Sequence, residues 1–456
     1  MHKNMMRKPL AAIAAALLCL GSLQARAQTP VPEALRAAGE AVIEALRSDD
    51  LKSIEARFDA QMNGQFPHAK LVVATAEIKR EAGVLQECAA PIGSKLESYS
   101  VAEYDCKFSI RPMKLRLAWT AKGQLGGLFF LPMPPEPKVV PLPENVREDE
   151  IVTGAEGWPL PGTLLLPASN KALAVVVFVQ GSGANDRDET LGPNKPLRDL
   201  AYGLGSQGIA SLRYDKRTKV LGPRVKTELK NWTFDDEVVD DAVAALVMVA
   251  ARNEAGPIFI VGHSLGAILA PRIAAAAEKK GVRVAGIVML APPLTSFADL
   301  IVYQHEFLAQ MTVPTVTPEL LDDVRTRREN VRRLIEQGKA DPPVGPLLLD
   351  MPASAWLDIG RYDPAMALAD QPGLSALLVF GGRDFQVPIR EKRLWDARVG
   401  SRPNTTSVEF PSVGHLMMDG RGSMSPAEYA KPGVVSQEVI DRVAGWIKAR
   451  AQAARP

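Results

Sequence analysis

The stretch Ile258-Phe259-Ile260-Val261-Gly262-His263-Ser264-Leu265-Gly266 constrains the fold more than any other segment of this chain. Ile258 to Val261 is a short apolar run, rich in β-branched residues, behind Gly256-Pro257. It suits a strand buried on both faces. Ala267 to Lys280 follows, rich in Ala and Leu, and closes on Lys279-Lys280-Gly281. That pattern predicts a helix with cations in its last turn and a glycine stop. Between the two, Gly-x-Ser-x-Gly must turn the chain sharply from strand to helix with Ser264 at the apex. Gly262 and Gly266 lack Cβ atoms, so the backbones can approach closely enough to hold Ser264 in a strained conformation. The five-residue pattern alone is weak in a long chain. Its strand and helix flanks make it specific for a nucleophilic serine.

The chain around this turn alternates strands and helices from Glu148 onward. Ile151 to Gly154 and Leu160 to Leu166 read as a hairpin, and Ala174 to Val179 and Ile209 to Tyr214 as apolar strands. Thr233 to Arg252 reads as an amphipathic helix capped by Thr233, with Asp235, Asp236 and Glu237 in its first turn. Strands at Val284 to Leu290, Ala376 to Phe380 and Ser407 to Phe410 follow, and Gln437 to Ala451 closes as a helix. This predicts an α/β fold with a doubly wound, mostly parallel sheet.

On these residues residues 148–456, about two-thirds of the chain, resemble the α/β-hydrolase family. In that family an acid follows a later strand and a histidine follows the last one, in the order Ser, Asp, His. Asp384 stands in Gly381-Gly382-Arg383-Asp384 after the strand ending at Phe380. His415 stands in Gly414-His415 after the strand ending at Phe410. Asp419 and Glu409 are the alternative acids. Of five histidines, His2 lies in the leader, His68 in the first domain, and His263 inside the turn; the family often carries a non-catalytic His there. His305 lies in an insert, so only His415 lies beyond the last strand. The resemblance implies that His415 takes the Ser264 proton while Asp384 orients the ring. An oxyanion hole is expected from the Leu265 N–H and from Gln180-Gly181-Ser182-Gly183, with Ser182 N–H preferred over Gly181 and Gly183. The family commonly has His-Gly in that loop, and Gln180 departs from it.

The N-terminal part reads differently. Lys3, Arg7 and Lys8, the apolar Leu10 to Leu23, and Ala25-Arg26-Ala27 have the order of a cleaved export signal over residues 1–27. Its apolar run is short for a membrane span, and Leu18 before Cys19 argues against a lipid anchor. Removing it takes away four cations and no acid, which moves the formal charge from +2 to −2. Export then favours a disulfide between Cys88 and Cys106. Residues 28–131 read as helices followed by antiparallel strands, a small α+β domain. It resembles the cystatin-like or nuclear-transport-factor-like domains found ahead of some secreted bacterial hydrolases. Residues 132–147 are proline-rich and read as a linker.

Residues 296–371 interrupt the alternation where this fold often inserts a lid. Pro318 to Lys339 reads as a helix capped by Thr317 and crowded with arginines, and Phe307, Met311, Trp356 and Leu357 are candidate linings of an acyl pocket. A further charged stretch, Asn185 to Thr190 with Arg213 to Arg217, reads as loop-fixing ion pairs. The expected activity is hydrolysis of small-molecule carboxylic esters through an acyl-enzyme, without cofactor or metal. A serine peptidase on the same triad is the alternative, and a catalytically dead binding protein the third reading. No nucleic-acid motif and no later membrane-spanning stretch competes.

Overall fold

The computed structural model describes residues 31–96, 99–133, 138–169, 171–252, 256–311, 316–422 and 425–453, in two compact units divided at the proline-rich segment. The expected export signal, residues 1–27, lies outside the described residues.

In the first unit four helices, Glu33–Arg47, Leu51–Glu55, Ala60–Gln65 and His68–Ala82, precede the strands. Asp50 and Asp59 cap two of them, their carboxylates accepting from Ser53 N and Met62 N. The strands are β1 (Leu85–Cys88), β2 (Ile92–Leu96), β3 (Tyr99–Phe108), β4 (Met113–Trp119) and β5 (Leu125–Pro132). They pair antiparallel in the order β1-β3-β4-β5, with β2 also on β3. Along β3 the period of two separates faces: Ala102, Tyr104, Cys106 and Phe108 enter the core, and Glu103 and Asp105 pair with Arg116 (2.6 Å) and Lys114 (2.5 Å). Cys88 stands opposite Cys106 in the β1–β3 register and is bonded to it, with 4.0 Å between the Cα atoms.

The second unit is built on an eight-stranded sheet. Its strands are β6 (Val146–Thr153), β7 (Leu160–Pro167), β8 (Ala174–Val179), β9 (Ile209–Tyr214), β10 (Ile258–His263), β11 (Val284–Leu290), β12 (Ser375–Gly381) and β13 (Thr405–Phe410). The order is β13-β12-β11-β10-β8-β9-β7-β6, antiparallel only at β6–β7 and β7–β9 and parallel elsewhere. The central strands are apolar throughout because both faces are covered. Val175, Val177 and Val179 of β8 join one core with Ile258 and Ile260 of β10. The alternate residues Val176, Phe178, Phe259 and Val261 join the other, against the helices Pro196–Ser206 and Gln437–Ala453. Such a sheet, with β10 at its centre, carries its loops at the carboxyl ends of the parallel strands, where the chemistry of open α/β sheets collects.

Two local expectations are corrected. The helix expected over Thr233–Arg252 opens with a wide π turn at Asp235–Val239 before the regular segment Asp240–Ala250. Thr233 does not accept as a cap: its N–H and hydroxyl both donate to the Asp236 carboxylate, at 2.7 and 2.8 Å. Strand β6 begins at Val146, inside the stretch read as linker. Between β11 and β12 lie the helices Phe297–Gln310, Pro318–Gln337, Ala353–Arg361 and Pro364–Ala369. Thr317 caps the second, accepting from Leu320 N, and Gly338 at φ 71° ends it.

Candidate active site

Ser264 sits between β10 and the helix Leu265–Lys279 with φ 52° and ψ −112°, a left-handed conformation costly for a residue with a Cβ. Its surroundings hold it there. The Ser264 N–H donates to Leu290 O at the end of β11 (2.8 Å), and its own carbonyl accepts from Ala267 N (3.0 Å) and Ile268 N (3.2 Å). The two flanking glycines are required by close backbone contacts. A Cβ on Gly262 would stand 2.3 Å from Gly266 O, and one on Gly266 would stand 2.3 Å from Val179 O.

Asp384 and His415 meet beyond β12 and β13. The carboxylate Oδ2 accepts from His415 Nδ1 at 2.7 Å, and both side chains are buried. The other oxygen, Oδ1, accepts from Gln386 N (2.8 Å) and Val387 N (2.9 Å), which fixes the carboxylate plane. The two loops are also joined through the backbone, Arg383 N donating to Val413 O at 2.9 Å. With Nδ1–H given to the carboxylate, His415 Nε2 is left as the basic nitrogen. The other acid candidates are elsewhere: Asp419 accepts from the Ser412 hydroxyl at 2.7 Å, and Glu409 is exposed on β13.

The loop after β8 lies against the turn, since a Cβ on Gly181 would stand 3.3 Å from Ser264 Cβ. Asn185 Nδ2 donates to both Gly181 O and Ser182 O, each at 3.1 Å, and the buried Lys216 ammonium donates to Gly181 O at 2.9 Å. The Gly181 N–H is committed to Glu189 Oε1 at 2.7 Å. That removes Gly181 from the candidate oxyanion donors of this loop and leaves Ser182 and Gly183 N–H; the Leu265 N–H stands at the first position of the helix after Ser264.

His263, set aside in the sequence because the family often carries a non-catalytic His there, is held on both nitrogens. Nδ1 contacts Glu189 Oε2 at 2.8 Å and Nε2 contacts His415 O at 3.0 Å. Burial works against its charge, but the Glu189 carboxylate, the His415 carbonyl and the Asp384 charge together hold its pKa above the ordinary histidine value. Sequence reasoning missed this pair because Glu189 lies 74 residues away in a stretch that reads only as charged.

The four candidate pocket residues do not meet in one place. Phe307 stacks on Phe385, with 5.2 Å between ring centres, in a cluster with Leu308, Leu416 and Tyr429. Phe385 and Leu416 directly follow Asp384 and His415 in sequence, so this cluster adjoins the pair. Met311 is exposed. Trp356 is a core residue, 1% exposed, whose indole N–H donates to Leu348 O at 3.2 Å; Leu357 packs half-buried against the same core. Trp356 lines a separate cavity of about 300 Å³ with Phe297, Tyr362, Asp363 and Arg398, and none of Ser264, Asp384 or His415 lines it. Arg325, Arg327, Arg328 and Arg332 of Pro318–Gln337 are ion-paired, with Glu306, with Asp323 and Asp350, with Asp299 and Glu329, and with Glu329 and Glu336 respectively, and Arg333 donates to the Asn330 amide oxygen. Among the described residues no group of three or more His, Cys, Asp or Glu is placed to hold a metal, and no helix is long and apolar enough to cross a membrane.

This sheet, with a strained serine at the β10 turn, defines a hydrolase-type α/β protein. The alpha/beta hydrolase family model matches residues 152–431, and the chain belongs to that family. It is 34% identical over 352 residues to esterase EstD of Thermotoga maritima, covering 76% of this chain and 80% of that one. Among solved structures it is similar to an esterase of Pyrococcus furiosus, at 14% identity and a TM-score of 0.42 over 69% of this chain and 97% of that one. An esterase of Pyrobaculum calidifontis gives 18% and 0.41 over 67% and 86%.

Proposed function

We propose that the protein is an exported serine carboxylesterase acting through an acyl-enzyme intermediate. The observation that carries this reading is the buried 2.7 Å hydrogen bond from His415 Nδ1 to Asp384, on loops beyond the carboxyl ends of β13 and β12, in the same sheet whose β10 leads into the Ser264 turn. The esterase of Thermotoga maritima to which the chain is 34% identical supports the ester class. His415 Nε2 takes the Ser264 proton as Oγ attacks the ester carbonyl. The Leu265 and Ser182 N–H groups receive the developing oxyanion. His415 then protonates the leaving alkoxide, and water repeats the sequence to free the acid. Asp384 holds the ring and stabilises the imidazolium without taking its proton. The aromatic cluster of Phe307 and Phe385 favours an apolar acyl or alcohol group over a charged peptide terminus. Residues 1–27 support export, and the Cys88–Cys106 bridge suits an oxidising compartment.

The test compares kcat/KM for short-to-medium acyl p-nitrophenyl esters, unactivated esters, and aminoacyl p-nitroanilides. The best unactivated ester should exceed every amide. A higher value on an amide or dipeptide would make the protein a peptidase with the same three residues.

A further inference from the structure

Glu189 adopts φ 53°, one of seven non-glycine residues with positive φ among those described. The turn that imposes this is made by Asp186, whose Oδ1 accepts from Asp188 N (3.1 Å) and Thr190 N (2.9 Å) while its carbonyl accepts from Glu189 N (3.0 Å). Strain of this kind persists only where the surroundings enforce it. What the conformation achieves is a buried carboxylate with one oxygen on each of two catalytic elements. Oε1 accepts the Gly181 N–H of the loop after β8, and Oε2 faces His263 Nδ1.

The proton positions follow from the partners. His415 O is a carbonyl and only accepts, so His263 Nε2 carries a hydrogen. Nδ1 is engaged by the Glu189 carboxylate at 2.8 Å, so both ring nitrogens are taken. The two histidine rings are 4.6 Å apart at their centres, but the hydrogen bond runs to the main chain of His415, not to its ring. His263 is thus unavailable as a base and instead grips the backbone of the residue that is one.

We propose that Glu189 and His263 are positioning residues: a carboxylate–imidazole link that fixes the oxyanion loop and the His415 backbone against the residue preceding Ser264. This rests on the reading of Ser264, Asp384 and His415 as the catalytic residues. The link acts through hydrogen-bond geometry. Glu189→Gln can keep every bond, its amide oxygen accepting from Gly181 N–H and its NH₂ donating to a neutral His263 Nδ1. Glu189→Asp keeps the charge but is one methylene shorter and cannot span both partners.

The experiment measures kcat and KM on a p-nitrophenyl ester, and the affinity for an arylboronic acid that adds to serine as a tetrahedral adduct, for the full chain and these variants. Glu189→Ala should lower kcat about a hundredfold, the scale of a lost oxyanion donor, with KM within about twofold. Boronate affinity should fall by the same factor as kcat/KM, because only transition-state complementarity is lost. Glu189→Gln should stay within about tenfold of the parent, the oxyanion loop being retained, and Glu189→Asp should resemble Ala. A folded Glu189→Ala with unchanged kcat, a boronate affinity that does not follow kcat/KM, or Asp restoring more activity than Gln would overturn the proposal. If Glu189→Ala does not fold, the order of Gln and Asp decides, and failure of all three to fold would make the pair a folding element only. An error in the catalytic reading would appear differently, as Ser264→Ala retaining the parent's rate.

Discussion

Gly266→Ala isolates what the β10 turn demands of its backbone. The new Cβ would lie 2.3 Å from Val179 O, 2.7 Å from Gln180 O and 2.8 Å from Val179 C. All three are main-chain atoms, so no side chain can swing away. To reach even 3.0 Å, helix Leu265–Lys279 and the end of β8 must separate by 0.7 Å from the 2.3 Å contact. Overpacking of this kind costs about 3 kcal/mol, and the better helix propensity of alanine returns at most about 1. A net loss of about 2 kcal/mol should lower Tm by about 4–8 °C. The same displacement moves Ser264 relative to the loop after β8, and a misplacement approaching 1 Å costs about a hundredfold in rate. The control is Gly445→Ala, in the exposed interior of Gln437–Ala453, where a Cβ meets nothing within 4 Å. It should gain about 1 kcal/mol with kcat unchanged. Calorimetry and ester hydrolysis on both variants make the comparison. Parent-like melting and turnover in Gly266→Ala would refute the claim that backbone approach forces glycine there.

Three further outcomes are expected. Replacing both Cys88 and Cys106 by Ser opens a loop of 18 residues and should destabilise the 31–133 unit by about 3 kcal/mol in denaturant titration, with ester turnover unchanged. Asp241→Ala strands the Arg217 guanidinium, which is 2% exposed and bound at 2.7 and 2.9 Å, and should cost about 3–5 kcal/mol in urea unfolding. The raised pKa of His263, among Glu189, Asp384 and His415, stabilises the fold fully below the unfolded value of about 6.5; this contribution fades as pH rises through the folded value. The stability difference between the parent and His263→Gln should therefore shrink with rising pH, and a difference growing with pH would contradict the assignment.

The sheet was legible because its strands are apolar runs separated by helical periods, and the β10 turn because Gly-x-Ser-x-Gly has a backbone reason. That Asp384 and His415 come together follows from their positions after β12 and β13, which are adjacent in the sheet. The pocket was not. Trp356 and Phe307 look alike as apolar residues of one insert, but Trp356 finds a backbone acceptor and the main core while Phe307 stacks beside Asp384. Pairing across tens of residues also stayed hidden: Glu189 reads as one charge in Asn185–Thr190 until folding brings it to His263 and Gly181. Strand β2, Ile92–Leu96, has no strand signature of its own, carrying Gly, Ser and Lys, and forms through its pairing with β3.

The central claim is that Ser264 is the nucleophile, activated by His415 and Asp384. The most direct measurement is peptide mapping after treatment of the folded protein with a fluorophosphonate. The account predicts one equivalent of adduct on Ser264, loss of ester turnover in step with labelling, and no labelling of Ser264→Ala or His415→Ala. Full turnover in Ser264→Ala, or an adduct on another residue that tracks inactivation, would contradict it.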